Sequence, residues 1–255
     1  KEKKVLILGF GKEVRDTFYF LRKLFPKKII GIADRNPECI LTVKNKGLKN
    51  VRWHLGKDYL NSIKAYEIIV KSPGIPIHLP EIEKAYQEKR VTSQTEIFLE
   101  NCQGRIVGVT GTKGKSTTSF LIYKILKEGG LPVHLVGNIG KPVLNFLFSH
   151  QKDIFVYEMS SHQLFGIKKS PQVAVFLNIY PEHLDYYKDF NEYLWTKANI
   201  TLYQTENDYL IFNPENKFIK MVAQKTKAKK IAIKKDPKLL KKIGEPLYIG
   251  LTCFG

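Results

Sequence analysis

The stretch that most constrains this chain is Gly108-Val-Thr-Gly-Thr-Lys-Gly-Lys-Ser-Thr117. It follows an apolar run at 105–109 that reads as a short buried strand. It runs into residues 116–128, where Phe120, Tyr123, Ile125 and Leu126 mark an amphipathic helix. Strand, glycine-rich turn, Lys-Ser and helix are the parts of a phosphate-cradling loop. Glycines let backbone N–H groups approach phosphate oxygens, and a helix N-terminus favours negative charge. Lys115 can reach the outer phosphates, and the Ser116 hydroxyl can sit on Mg2+. The general form G-x-x-x-x-G-K-[ST] is missed, because its first glycine would fall at position 109, which is Val109. The run Gly111, Thr112, Lys113, Gly114, Lys115, Ser116, Thr117 is nonetheless expected to bind ATP, since an ordinary Gly-rich turn leaves Lys-Ser-Thr at the helix start unexplained.

Around that loop the chain reads as alternating β and α segments. The expected class is α/β, with parallel sheets and helices on both faces. Residues 1–102 are expected to form an N-terminal Rossmann-like domain with strands at 5–8, 28–33, 51–55 and 66–70. Its first helix, at 13–25, would turn Val14, Phe18, Leu21 and Phe25 inward. Residues 103–255 are expected to form a central P-loop-type ATPase domain with further strands at 132–136, 153–159, 172–177 and 208–212. A helix is expected at 189–204.

Ligands of such sheets sit at the carboxyl ends of the strands. In the first half those ends carry Gly9-Phe-Gly11, then Asp34-Arg35, then Ser72-Pro-Gly74. Gly11 opens a helix that could receive a phosphate, and Asp34 could accept a ribose or base hydrogen bond. In the second half Glu158 closes an apolar strand, where nucleotide-binding folds hold Mg2+. His183 follows a strand end, flanked by Glu182 and Asp185, and could ligate a metal or orient phosphate. Lys197 shares a helix face with Phe190, Leu194 and Thr201. From spacing alone such a lysine would run out along the surface to water.

The 255 residues carry a net charge of +18, which raises nucleic-acid binding. Lys outnumbers Arg 36 to 6 and is dispersed, the pattern of a solvated surface, so no nucleic-acid partner is expected. The densest basic run is 225–242. No segment approaches the roughly 18 uncharged apolar residues of a membrane span, so no membrane partner is expected. The start, Lys1-Glu-Lys-Lys-Val-Leu-Ile-Leu8, reads as a first strand rather than a signal peptide. Cys39, Cys102 and Cys253 are scattered, which points to a reducing cytoplasm.

These motifs, in this order, resemble the Mur ligases of peptidoglycan synthesis. The resemblance rests on Gly111-Thr-Lys-Gly-Lys-Ser-Thr117, Gly137-Asn-Ile-Gly140, Glu158-Met-Ser-Ser-His-Gln-Leu164, Asn178-Ile-Tyr-Pro-Glu-His-Leu-Asp185 and the helix holding Lys197. Gly9-Phe-Gly11, Ser72-Pro-Gly-Ile75 and Gln163 are similar to the branch that adds D-glutamate. The resemblance implies ATP-dependent amide formation. The carboxylate of UDP-N-acetylmuramoyl-L-alanine would become an acyl phosphate, and the amine of D-glutamate would displace phosphate. It implies catalytic roles for Lys115, His183 and Lys197, and two Mg2+ ions. Ser116 and Glu158 would hold one, and His183 and a carbamylated Lys197 the other. It also implies that Gly11, Asp34, Arg35, Ser72 and Gly74 bind the uridine end, while Asn138, Ser160 and Gln163 place the rest of that substrate.

The chain departs from the family pattern at Lys113, where Asn is frequent, and at Glu182, where Asp is usual. The family also continues into a third α/β domain, so the chain is expected to be a C-terminally truncated form lacking it, acting as a monomer. Another branch of the family, a folylpolyglutamate-synthase-like ligase and a non-catalytic nucleotide-binding relative are the alternatives.

Overall fold

The computed structural model describes residues 3–42 and 49–233. The chain divides into two compact units. The first is Lys1–Glu100 together with Pro142–Leu147; the second is Asn101–Lys141 and the chain from Phe148 onward. The segment Pro142–Leu147, expected in the second half, therefore groups with the first. Its Val143 and Leu144 are buried.

The first unit runs β1 (Val5–Leu8), α1 (Lys12–Leu24), β2 (Ile30–Asp34), β3 (Val51–Leu55), β4 (Ile68–Lys71), α2 (Pro80–Gln87), β5 (Val91–Thr92) and α3 (Gln94–Asn101). Its strands lie in the order β3-β2-β1-β4-β5, all parallel. β1 is central and wholly buried, so both of its faces are apolar. Val5 and Ile7 pack with Val14 and Phe18 of α1 on one side. Leu6 and Leu8 pack with Tyr59, Ile63, Ile69 and Ile82 on the other. Phe25 is not on the inner face of α1: it lies past the helix end and is 47 % exposed.

The second unit runs β6 (Arg105–Thr110), α4 (Lys115–Glu128), β7 (Val133–Gly137), β8 (Ile154–Glu158), α5 (Ser161–Leu164), β9 (Val173–Phe176), α6 (Phe190–Leu202), β10 (Tyr209–Phe212), α7 (Lys217–Lys225) and β11 (Lys229–Ala232). The strand order is β11-β10-β9-β6-β8-β7, again all parallel. Strand order reverses beside β6, which has β8 on one side and β9 on the other. That is a topological switch point, where a crevice opens beyond the strand ends.

The inner face of α4 differs from expectation. Ser119 is buried, and Ile122, Tyr123 and Leu126 pack on the core, a spacing of three and four residues. Phe120 and Ile125 fall outside that stripe and are exposed, Ile125 by 70 %. The basic run at 225–242 resolves in part. Lys217–Lys225 is a helix with Ile219, Val222 and Ala223 inward, and Lys229–Ala232 is an exposed edge strand. Residues 234–242 of that run, and Cys253, lie outside the described residues.

Two substitutions test this packing. Phe18→Ala deletes a fully buried ring and should cost about 3–5 kcal/mol. Phe120→Ala, on the exposed side of α4, should change stability by no more than about 0.5 kcal/mol. Urea denaturation followed by circular dichroism compares them, and equal losses would contradict the burial described.

Candidate active site

The turn between β6 and α4 is built as its sequence demands. Gly114 is the N-cap of α4 at φ 82°, a left-handed conformation that costs glycine little. Lys115 starts the helix, and its Nζ donates to the carbonyls of Gly111 and Thr112, both at 3.0 Å. Burial lowers the Lys115 pKa; Glu158 and Glu182 oppose that, and Lys113 adds to it. Ser116 and Thr117 are exposed at the first turn of α4.

The turn is held from outside. The Thr112 N–H donates to the Asn178 carbonyl at 2.9 Å. The Lys113 N–H donates to Asn178 Oδ1 at 2.8 Å, and Asn178 Nδ2 donates to the Lys113 carbonyl at 3.0 Å. Thr112 Oγ1 donates to the Tyr180 carbonyl, accepts from the Tyr180 N–H and meets the Tyr193 hydroxyl, at 3.3, 3.1 and 3.2 Å. The Lys113 ammonium pairs with Glu182 at 3.0 Å. Burial raises the Glu182 pKa, but the Lys113 hydrogen bond and neighbouring positive charges outweigh it and hold the carboxyl below its ordinary range. Asn178 opens one of the motifs that carry the family resemblance but is given no site role by the sequence, and Tyr193 is given none either. The signals for Asn178 are that motif and its place at a strand end.

Lys197 overturns the spacing argument. It is 2 % exposed, and its Nζ donates to the Gly111 carbonyl at 3.0 Å, 5.1 Å from the Tyr193 ring centre. The reason is tertiary: Leu194, Ala198 and Thr201 on the same side of α6 are also buried, so the side chain has no route to water. Burial lowers its pKa to about 7, helped by the Lys115 charge and opposed by Glu182.

Glu158 ends β8 directly beside Val109 of the loop strand and is 1 % exposed. Oε1 accepts from Asn138 Nδ2 at 3.0 Å, while Oε2 is buried and has no hydrogen-bond partner. Asn138 reaches it because Gly137 turns at φ 101°, where a Cβ would come 2.5 Å from the Glu158 carbonyl. A buried, half-satisfied carboxylate costs stability unless a cation completes it. Glu158 and the Ser116 hydroxyl are hard oxygen donors, so this donor set fits Mg2+. Among the described residues no group of three or more His, Cys, Asp or Glu forms a cage. Mg2+ here would rely on few protein ligands and on phosphate, as it commonly does.

His183 stands at φ 57°, rare for a non-glycine residue. Its carbonyl accepts from the Tyr186 and Tyr187 N–H groups, and its ring lies 5.1 Å from that of His162 and 6.2 Å from that of Tyr193. Ser160 and Gln163 form a reciprocal capping box on α5: the Gln163 N–H donates to Ser160 Oγ, and the Ser160 N–H donates to Gln163 Oε1. Their side chains are thus engaged locally, and Asn138 is engaged by Glu158.

In the first unit the expected residues gather at the carboxyl ends of β1, β2 and β4. Gly11 caps α1, and Ser72 follows β4, with its N–H on the Leu8 carbonyl at 2.8 Å. The Asp34 carboxylate accepts from the Phe10 and Asn36 N–H groups at 2.5 and 2.7 Å, so it braces two turns. Arg35 and Gly74 are exposed. Lys71, which the sequence reading passed over, is buried at the end of β4 and donates to the Ser72 carbonyl at 3.0 Å. Burial lowers its pKa to about 8, against the pull of Glu13.

Comparison with known proteins gives the family and the likeness of the fold. The Mur ligase middle domain model matches residues 109–242. The UDP-N-acetylmuramoylalanine--D-glutamate ligase of Clostridium acetobutylicum is 38% identical over 221 residues, covering 85% of this chain and 47% of the relative. That of Acetivibrio thermocellus is 37% identical over 260 residues, covering 96% and 55%. The chain thus spans about half the length of these relatives. Its fold is similar to that of the UDP-N-acetylmuramate:L-alanyl-gamma-D-glutamyl-meso-diaminopimelate ligase from Neisseria meningitides, with a TM-score of 0.54 at 18% identity over 90% of this chain and 78% of the other.

The Lys71 shift has a definite sign. Between about pH 8 and 10.5 the unfolded chain keeps a proton that the folded chain has released, so folding stability rises with pH across that window. Urea midpoints measured from pH 7 to 10.5 should rise more for the unaltered chain than for Lys71→Met. Parallel profiles would show that Lys71 is not desolvated as described.

Proposed function

We propose, from the premise that this chain belongs to the Mur ligase family, that it forms part of an ATP-dependent ligase joining D-glutamate to UDP-N-acetylmuramoyl-L-alanine. The reading is supported most directly by the end of β8. A carboxylate almost wholly withdrawn from water, with one oxygen unpaired, lies on the strand next to the one that feeds the phosphate loop. The choice of D-glutamate follows the names of the two relatives.

In this reading the turn at Gly111–Thr117 and the start of α4 take the phosphates of ATP, and Lys115 leaves the Gly111 and Thr112 carbonyls to meet them. Ser116 and Glu158 would hold one Mg2+, and His183 with a carbamylated Lys197 the other. The ions would supply positive charge where anionic groups must meet. Lys197 has the chemistry that carbamylation needs, since an amine with a pKa near 7 is substantially neutral at neutral pH. The Lys113–Glu182 pair closes one side of the turn. In the first unit, Gly11, Asp34, Arg35, Ser72 and Gly74 would take the uridine end. Asn138, Ser160 and Gln163 of the second unit would help place the rest of the UDP-sugar substrate.

The reaction moves the γ-phosphoryl group of ATP to the alanyl carboxylate. The D-glutamate amine then attacks the acyl carbon, the C–O bond to phosphate breaks, and the amine loses a proton. The reading places this in the cytoplasm, on small-molecule substrates, with the chain acting as a monomer.

Phosphate release should be measured with ATP, D-glutamate and each of UDP-N-acetylmuramate, its L-alanyl form and its dipeptide form. The chain should be assayed alone and with the remaining half of a relative supplied in trans. Turnover is expected with the L-alanyl form, and turnover of the dipeptide form alone would exclude this reading in favour of another branch. Under the active condition, Lys197→Ala should lose at least about a hundredfold in rate, the scale of removing one electrostatic contributor. Short carboxylic acids should restore part of it, and indifference to both mutation and acid would rule out a carbamate.

A further inference from the structure

We propose that Asn178 is a positioning residue for nucleotide binding: it fixes the phosphate loop in its receptive form from the neighbouring strand end. The inference rests on the reading that Gly111–Thr117 receives the phosphates of ATP. It concerns which atoms prepare that turn.

Residues Thr112 and Lys113 lie between Gly111 and Gly114, and the local hold of Lys115 on the Thr112 carbonyl is given up when Lys115 turns to phosphate, so their peptide planes need a brace from outside. The Asn178 carboxamide meets both polar groups of Lys113, accepting from its N–H at 2.8 Å and donating to its carbonyl at 3.0 Å. Each of these groups belongs to a different peptide unit, so one planar side chain orients two consecutive peptide planes. A trans peptide directs its C=O and N–H to opposite sides. Holding the Lys113 carbonyl against Asn178 therefore turns the Gly114 N–H to the far side. The Lys113 N–H is engaged by Asn178 and is withdrawn from the anion-binding set. The donors presented to phosphate are then Gly114 and the first turn of α4, whose N–H groups have no partner within the helix.

The anchor is rigid. Asn178 lies two residues beyond β9, which pairs with β6 through Thr110 and Phe176, and the Leu177 N–H donates to the Thr110 carbonyl at 3.0 Å. The Asn178 backbone carbonyl also takes the Thr112 N–H. Asparagine suits the task, because its planar carboxamide offers an acceptor oxygen and a donor NH2 group side by side. Aspartate keeps the acceptor and loses the donor, and alanine loses both.

The test is calorimetric titration of Mg2+-ATP into the unaltered chain, Asn178→Ala and Asn178→Asp, with melting temperatures and amide hydrogen exchange on each. Asn178→Ala should weaken ATP about tenfold, the scale of losing the net contribution of one to two hydrogen bonds. Its Lys113 amide should exchange faster. Asn178→Asp should also weaken ATP, yet keep the Lys113 amide protected, because Oδ1 remains. A merely structural role would lower the melting temperature and leave ATP affinity unchanged in both variants. Should Asn178→Ala fail to fold, the isosteric Asn178→Asp decides. ATP affinities within about twofold of the unaltered chain, or unchanged Lys113 exchange in Asn178→Ala, would overturn the inference alone. Absence of ATP binding by the unaltered chain would overturn the functional reading, and this inference with it.

Discussion

The second unit depends on how one short turn, Gly111 to Gly114, is held. A glycine-rich turn at a helix start gathers backbone donors, but it is useful to an anion only when its peptide planes are already set. Here the setting comes from the end of β9 and from α6, through Asn178, Tyr180, Glu182 and Tyr193. β6 and β9 are adjacent in the sheet, so the braces rise from the same rigid layer as the turn they hold. Those contacts bring the Gly111–Gly114 turn and the His183 segment together as one assembly.

The same turn organises the charges. Lys115 and Lys197 both donate to the Gly111 carbonyl, so two lysine Nζ atoms share one acceptor. Burial and that proximity pull the Lys197 pKa to about 7. Glu158 is buried with one oxygen unpaired, although a carboxylate in that state disfavours folding. Groups held against their own solvation preference in this way are characteristic of binding and catalytic sites. The first unit carries a smaller instance in Lys71, buried at the β4 end beside the Ser72 loop.

Some of this was legible in the residues, and the failures have identifiable causes. The β6–turn–α4 unit, the acid at the end of β8 and the parallel α/β class could be read because each is a local pattern: an apolar run, a glycine turn, a strand-end carboxylate. The expected face of α4 holds for Tyr123 and Leu126 but not for Phe120 and Ile125, which are large and apolar yet face water, while small Ser119 faces the core. α7 was hidden by its lysines, although Ile219, Val222 and Ala223 follow helical spacing. Asp34 ends a strand, as its local pattern indicates, but that its carboxylate also braces two turns could not be read from neighbours along the chain.

The sequence by itself determined the alternation of strands and helices, the make-up of the Gly111–Thr117 turn and the residue types available around it. Each of these follows from neighbours along the chain, through periodicity and the conformational freedom of glycine. Only the tertiary structure decided that Lys197 is buried, that Asn178 braces a loop 65 residues away, and that one oxygen of Glu158 is left without a partner. Burial and hydrogen-bond completion depend on what other segments bring to a point in space, and that is a property of strand order rather than of any local stretch.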